Sequence, residues 1–380
     1  MIPFNKPYLH GRELVYIAQA VATGKISGDG YFTSKCHSFF EARYHFKKVL
    51  MTTSCTDALE MAAILLDLQQ DDEVIAPSYT FVSTVNAFAL RGAKIIFADS
   101  YSDHPNIDPA QIEKLITSKT KAIVVVHYAG VACDMDAIMR IANKYNIPVI
   151  EDAAQAIDGY YKGKPLGSIG TFGTFSFHET KNIISGEGGL LVINDEKYIC
   201  RAEIIREKGT NRSSFFRGEV AKYGWVDIGS SFLPSDIIAA YLYAQLENID
   251  VIQSRRKAIW QRYYEGLSNS LVGAEISVPK VADYSTNNAH MFYLVCKSLE
   301  QRTALIQYLK DNGVHAVFHY QSLHASEFYQ NKYSGHDLPN ADHFTDTLVR
   351  LPLFYELQDE QVDYICDLIT NYVSSENVHS

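Results

Sequence analysis

Short apolar runs alternate with amphipathic or turn-rich stretches from about residue 50 to 245. The runs EVIAPSY, AKIIFAD, KAIVVVHY, IPVIED, TFGTFSF and GLLVIN are rich in β-branched and aromatic residues, which predicts strands. Strands that stay apolar along their length have both faces covered, so the pattern predicts a mostly parallel sheet with helices on both sides. Past about residue 246 the pattern changes to a long helix over roughly 248–267, a strand-like AHMFYLVCKS, a helix near 302–311 and a terminal helix. The expected architecture is a large α/β domain over residues 1–245, including the N-terminal segment, and a smaller C-terminal α/β domain over 246–380. No internal repeat and no linker sets off a separate mobile module.

Composition narrows the function classes. The 380 residues are 47% hydrophobic and 21% charged, an ordinary globular balance with room for an enzyme-sized cleft. A formal charge of −10, from 34 basic and 44 acidic residues, argues against a broad nucleic-acid or anionic-membrane surface. An anionic substrate must therefore be met by a local basic pocket. No apolar run approaches the roughly 20 residues of a membrane-spanning helix, and the start MIPFNKPYLHGREL lacks a basic stretch followed by an apolar core. The expected compartment is the cytoplasm. Cys36, Cys55, Cys133, Cys200, Cys296 and Cys366 are scattered singly, with no C-x-x-C pair, so neither a metal site nor a disulfide framework is expected.

Three segments carry candidate chemistry. Thr53-Ser54-Cys55-Thr56 precede Ala58, Met61, Ala62 and Leu65 at helical spacing, which predicts a helix start there. Such a start offers free N–H groups and a favourable dipole to a phosphate, with the Ser54 and Thr56 hydroxyls beside them; a plain Ser/Thr N-cap is the alternative. Glu151-Asp152-Ala153-Ala154-Gln155 close the apolar run IPVIED, so a carboxylate stands at the C-terminal end of a strand, where open α/β sheets bind ligands. Asp152 there could keep a pyridine nitrogen protonated, cap a helix or ligate a metal. In FGTFSFHETKNIISGEGG, residues 172–189, a strand delivers Ser176, His178 and Lys181 into a glycine-rich turn. An amine that forms a Schiff base needs partial desolvation to lower its pKa, and a position just after an interior strand supplies it. GEGG precedes a strand rather than a helix, so it is no dinucleotide fingerprint; its glycines fit a turn with close backbone approach.

The order TSCTDALEMA, PSYTFVSTVNAFALRGA, VHYAGVACDMD, EDAAQA, FSFHETKN, GEGG, REKGTNR and MFY resembles the DegT/DnrJ/StrS sugar aminotransferases, of pyridoxal-phosphate fold type I, over essentially the whole chain. The resemblance implies pyridoxal 5'-phosphate as cofactor, Lys181 as the Schiff-base lysine and proton shuttle, and Asp152 as partner of the pyridine nitrogen. It implies that Phe81 stacks on one cofactor face and that Gln155 touches the other face or the phenolic oxygen. Ser54, Cys55, Thr56 and Ser176 would surround the phosphate. Ser231 stands where many members carry an Asn that reaches the phosphate of the neighbouring subunit, so a homodimer with shared active sites is implied. His178, His319 and Tyr320 are candidates for the substrate side, with His324 in the same H-Y-x-x-L-H stretch. Arg206, Lys208, Asn211 and Arg212, with Arg217, form a basic polar stretch that could meet a nucleotide diphosphate, a solvated loop being the alternative.

FSFHETKN, REKGTNRSSFFRG and DIGSSFLPSD resemble one subgroup in particular. It moves the amino group of L-glutamate to C4 of dTDP-4-keto-6-deoxy-D-glucose, giving dTDP-4-amino-4,6-dideoxy-D-galactose for enterobacterial common antigen. The gluco epimer and a C3 aminotransferase acting on a related nucleotide keto sugar remain alternatives. A dehydratase of the same fold carries histidine in place of the lysine, so Lys181 argues against it. Lys181 and Asp152 together argue against a non-catalytic regulator.

Overall fold

The computed structural model describes residues 1–379. A seven-stranded sheet is formed by β1 (Lys48–Thr52), β2 (Glu73–Pro77), β3 (Lys94–Ala98), β4 (Thr120–Val126) and β5 (Val149–Asp152), then, beyond a separate hairpin of β6 (Tyr160–Tyr161) and β7 (Lys164–Pro165), by β8 (Phe172–Ser176) and β9 (Gly189–Ile193). Across the sheet the order is β1-β9-β8-β5-β4-β2-β3. Every pairing from β8 to β3 is parallel, and β9 alone runs against its two neighbours.

The helices around it are α1 (Glu13–Ala22), α2 (Tyr31–Tyr44), α3 (Cys55–Leu65), α4 (Ser83–Ala89), α5 (Pro109–Leu115), α6 (Met135–Tyr145), α7 (Ile199–Arg206), α8 (Arg212–Phe216) and α9 (Asp236–Leu246). Successive residues of one strand reach opposite faces, and both faces are covered. Val49 and Met51 of β1 and Ile123 and Val125 of β4 join Phe40, Ile138 and Leu242 of α2, α6 and α9. Leu50, Ala122 and Val124 face the other way, onto Leu59 of α3 and Phe88 of α4. This double burial is why the strands read as unbroken apolar runs. Among the described residues no helix is long and apolar enough to cross a membrane.

The rest of the chain holds α10 (Ile249–Ser268), β10 (Phe292–Val295), α11 (Leu299–Asp311), β11 (Val317–Phe318), α12 (Pro339–Thr347), β12 (Leu348–Leu351) and α13 (Asp359–His379), with β12 central in a three-stranded antiparallel sheet. Its own core packs Tyr263 of α10, Phe292 of β10 and Ile365 of α13, and takes in Ile2 from the other end of the chain. Met291, Tyr293 and Phe344 instead join the core of the large sheet, so the C-terminal part is welded to the helical face it covers. Several strands differ from the sequence expectation, which lacks the β6–β7 hairpin and the short strands β11 and β12. β1 is absent from the predicted set because KVLMT is a short edge strand set between lysines and threonines. AHMFYLVCKS shrinks to the four residues of β10, since Asn288 and His290 enter a buried polar network instead of a ladder.

Glu151 anchors the segment that leads into β8. Its carboxylate, fully buried, accepts N–H groups from Gly167, Ile169 and Gly170 at 2.6–2.8 Å. The fourth donor is His127 Nε2 at 2.9 Å; its Nδ1 accepts from Cys133 N–H, which fixes the proton on Nε2. Replacing Glu151 by Ala strands four buried donors, each costing about 1–3 kcal/mol when unpaired. Glu151→Ala is therefore expected to lower the urea midpoint sharply, by a loss on the order of 3 kcal/mol or more. A midpoint within error of wild type would contradict this anchoring.

Candidate active site

A cleft of about 520 Å³ opens at the C-terminal ends of the parallel strands. β1 leads through Thr53 into α3, where Ser54 takes an extended conformation and its Oγ accepts the Asp57 N–H at 3.0 Å. The Ser54 hydroxyl is thus the helix cap. The N–H groups of Cys55 and Thr56, first in the helix, have no intrahelical acceptor and remain for an anion. Gly189 must lack a side chain, because a Cβ there would collide with the Ser54 carbonyl, and Gly186 turns at φ +80°. These two glycines of GEGG bring the β8–β9 connection against the helix start.

β5 ends on Asp152, which faces the cleft while Glu151 faces the core. Its carboxylate accepts from Thr84 Oγ1 at 2.7 Å and from Ala154 N at 3.1 Å, and Thr80 Oγ1 lies 2.8 Å behind Thr84. Burial pushes the Asp152 pKa up, and the Thr84 and Ala154 donors and Lys181 oppose that shift. After β8, Lys181 N bonds to His178 O, which turns the lysine back into the cleft. Burial lowers the Lys181 pKa below its ordinary value, against the pull of Cys55 and Asp152. A half-buried amine and a buried carboxylate therefore open onto one cavity.

The walls supply aromatic and amide groups. Phe81 and Tyr320 stand 6.0 Å apart between ring centres. Gln155 accepts from Ala129 N at 2.6 Å and donates to Tyr320 Oη at 3.0 Å. His319 Nδ1 lies 2.7 Å from Tyr128 Oη, and His178 Nδ1 lies 2.9 Å from Thr180 Oγ1. Ser176 also lines the cleft.

Arg350 and His290 are among the cleft residues that went unmarked in the sequence reading. Arg350, on β12, lines the cleft; its Nε is buried without a hydrogen-bond partner and no carboxylate pairs with it among the described residues. Its guanidinium lies 4.8 Å from the Phe4 ring centre, and burial lowers its pKa. His290 also lines the cleft. Asn182 Nδ2 donates to the Asn288 carbonyl, so its Oδ1 faces His290 Nδ1 at 2.8 Å. Burial, with Lys181 and Arg350, pushes the His290 pKa well down. The ring is neutral with its proton on Nδ1, leaving Nε2 as an acceptor. A lone arginine in the apolar run LVRL was the available signal for Arg350; His290 had none beyond its place in AHMFY.

The basic stretch lies apart from the cleft of its own chain. Arg206 is buried, bonding to Met51 O at 2.7 Å and Asp29 at 2.8 Å. Arg212 pairs with Glu207 at 2.8 Å, and Arg217 with Glu203 and Glu219. Asn211 Oδ1 accepts Gly224 N, and Lys208 is exposed. None of Arg206, Lys208, Asn211 and Arg212 lines the cleft of its own chain, because local acids and the backbone have engaged them or their segment turns outward. Ser231 is likewise exposed and outside this cleft. His324 lies beyond it, with Nδ1 2.8 Å from Ser78 Oγ.

The donor set of the cleft fits a phosphorylated pyridine aldehyde: an amine, an opposing carboxylate, a helix start for phosphate and an exposed ring face at Phe81. Comparison with known proteins agrees with the chemistry. The model of the DegT/DnrJ/EryC1/StrS aminotransferase family matches residues 7–370. GDP-perosamine synthase of Escherichia coli O157:H7 is 34% identical over 377 residues, covering 98% of this chain and 99% of that protein. Spr1654 from Streptococcus pneumoniae in its PMP form has a TM-score of 0.91 at 27% identity, covering 99% of this chain and 100% of that one. The aminotransferase TlmJ from Streptoalloteichus hindustanus gives 0.91 at 26% identity with the same coverage. Fold, cleft and family match converge: the chain belongs to the DegT/DnrJ/EryC1/StrS aminotransferase family.

Proposed function

We propose that this aminotransferase moves the amino group of L-glutamate to C4 of a nucleotide-linked 4-keto-6-deoxyhexose, with dTDP-4-keto-6-deoxy-D-glucose as acceptor and dTDP-4-amino-4,6-dideoxy-D-galactose as product. The observation that carries it is the single cleft shared by Lys181, Asp152 and the start of α3. The likeness of FSFHETKN and REKGTNRSSFFRG to the dTDP subgroup supports the nucleotide. The relative named GDP-perosamine synthase favours a second reading, a GDP-linked keto sugar.

The cofactor is pyridoxal 5'-phosphate, which supplies an electron sink for ionising a C–H bond beside the transferred nitrogen. Lys181 would hold it covalently, with Cys55, Thr56 and Ser176 at the phosphate and Phe81 and Gln155 at the ring. Asp152, whose anionic form the Thr84 and Ala154 donors favour, would hold a proton on the ring nitrogen. Lys181 Nζ, its basicity lowered by burial, takes the proton from the α carbon of L-glutamate and delivers one to C4 of the sugar. Arg350, a half-buried cation without a carboxylate partner among the described residues, binds the donor α-carboxylate. The neutral His290 and the His319–Tyr320 pair face the sugar. The active unit is a homodimer, supported by Trp225, 84% exposed, and the exposed Phe216 and Ser231 on one outward stretch. Ser231 and Lys208 would serve the cleft of the second copy.

Supplying either nucleotide keto sugar with 15N-labelled L-glutamate should yield a product labelled at C4, and proton couplings of the dTDP product should show the galacto amine. Label at C3, a gluco product or turnover of the GDP sugar alone would each overturn the substrate proposed.

Arg350→Ala is expected to raise the KM for L-glutamate by about 10- to 100-fold, the range of one charge-assisted contact. An unchanged KM would remove Arg350 from the donor site.

Lys181 also sets a pH-dependent stability cost. Its folded pKa lies below the ordinary 10.5, so the unfolded chain binds the extra proton and Lys181 opposes folding below that value. The penalty fades as pH rises toward 10.5. Cofactor-free Lys181→Met is therefore expected to melt above wild type at pH 7, with the gap closing at alkaline pH. Equal melting temperatures at pH 7 would contradict a buried, disfavoured ammonium.

A further inference from the structure

Residues 1–8 run as a strap from the C-terminal part to the turn that carries Lys181. Ile2 pairs with Val314, its N–H bonding to Gly313 O at 2.7 Å and its carbonyl accepting His315 N at 3.0 Å. Its side chain is buried in the C-terminal core. Asn5 Nδ2 donates to the Glu179 carbonyl at 3.2 Å, on the turn between His178 and Lys181. Lys6 pairs with Glu356 at 2.7 Å, and Tyr8 stacks on Tyr355 with ring centres 3.8 Å apart. Phe4, half-buried, stands between the Ile2 and Asn5 anchors. Its ring meets His315 at 70° and faces the Arg350 guanidinium, whose Cζ lies 4.8 Å from the ring centre. None of residues 1–8 lines the cleft.

Arg350 needs such a neighbour. β12 is paired on both sides there, with Tyr293 and Val317, so its backbone is fixed and only the long side chain is left to order. A carboxylate of the chain would offset the desolvated charge but occupy the N–H groups at the guanidinium edge. A ring face attracts the cation through its quadrupole and leaves those N–H groups free. We propose that Phe4 is a positioning residue of the amino-donor site: its ring holds the Arg350 guanidinium in the cleft with the N–H fork open to the donor α-carboxylate. This rests on the assignment of Arg350 to the donor and extends it to a residue outside the cleft. Ordering the guanidinium before the donor arrives removes part of the entropic cost of binding, so the strap sets donor affinity rather than the rate of the chemical step.

The glutamate half-reaction of the cofactor-loaded protein, followed by cofactor absorbance in single turnover, gives the donor Kd and the limiting rate separately. Calorimetric titration with glutarate gives the affinity of a dicarboxylate that cannot react. Phe4→Leu keeps an apolar side chain but removes the ring face; Phe4→Tyr keeps the face. Phe4→Leu should raise both Kd values about three- to tenfold, the range of one partly desolvated cation–π contact, with the limiting rate and the nucleotide-sugar half-reaction unchanged. Phe4→Tyr should match wild type. A wild-type donor Kd in Phe4→Leu, while Arg350→Ala raises it, would overturn the positioning role and leave Arg350 in the donor site. Equal losses in Phe4→Leu and Phe4→Tyr would make the ring a filler of space. A Phe4→Leu protein that also loses limiting rate and the nucleotide-sugar half-reaction would show a general loosening of the strap; either result overturns the proposal. An unchanged donor Kd in Arg350→Ala would refute the donor reading itself, and the proposal with it.

Discussion

The shared direction of six strands in the seven-stranded sheet is the constraint on which the site depends. Because β1, β2, β4, β5 and β8 all end on the same side, Ser54, Phe81, Tyr128, Asp152 and Lys181 are delivered to one end of the sheet. No local sequence motif could assemble them, since they span well over a hundred residues. Packing on both faces fixes each strand's register, and a one-residue slip would turn Asp152 into the core and Glu151 into the cleft. The antiparallel β9 closes the arrangement by returning the chain through GEGG, which holds the lysine-bearing connection against the start of α3.

The site gathers charges that burial disfavours. Lys181, Asp152 and Arg350 all have pKa values moved toward the neutral form by desolvation, and Arg350 lacks a carboxylate partner among the described residues. Such groups oppose folding and persist only because satisfied networks behind them hold the backbone. One network is Glu151 with His127 and the N–H groups of 167–170. Another runs from Asn182 through Gln253, Asn288 and His290 to the Gln155 carbonyl. The second joins the C-terminal part to the wall of the cleft, so the segment before β10 positions cleft residues as well as covering them.

Features written in local pattern were legible in the sequence. The apolar runs marked six of the seven strands, Ser54 marked a capped helix, and Asp152 and Lys181 stood where strands end. The roles of Phe81 and Gln155 came from family resemblance, because a lone aromatic or amide carries no chemistry of its own. Arg350 and His290 stayed hidden because only tertiary packing carries β12 and the segment before β10 over the cleft. The ion pairs of the basic stretch were illegible for the opposite reason: Asp29, Glu203 and Glu207 are brought by the fold to charges that look free along the chain.

The most direct test of the site is chemical. Incubating the protein with pyridoxal phosphate, reducing it with borohydride and mapping the modified peptide by mass reports which amine holds the cofactor. A single adduct on Lys181 is expected, abolished in Lys181→Ala. An adduct on another lysine, or none above background, would mean that the amine beside Asp152 is not the attachment point and that the cleft described here is not the catalytic one.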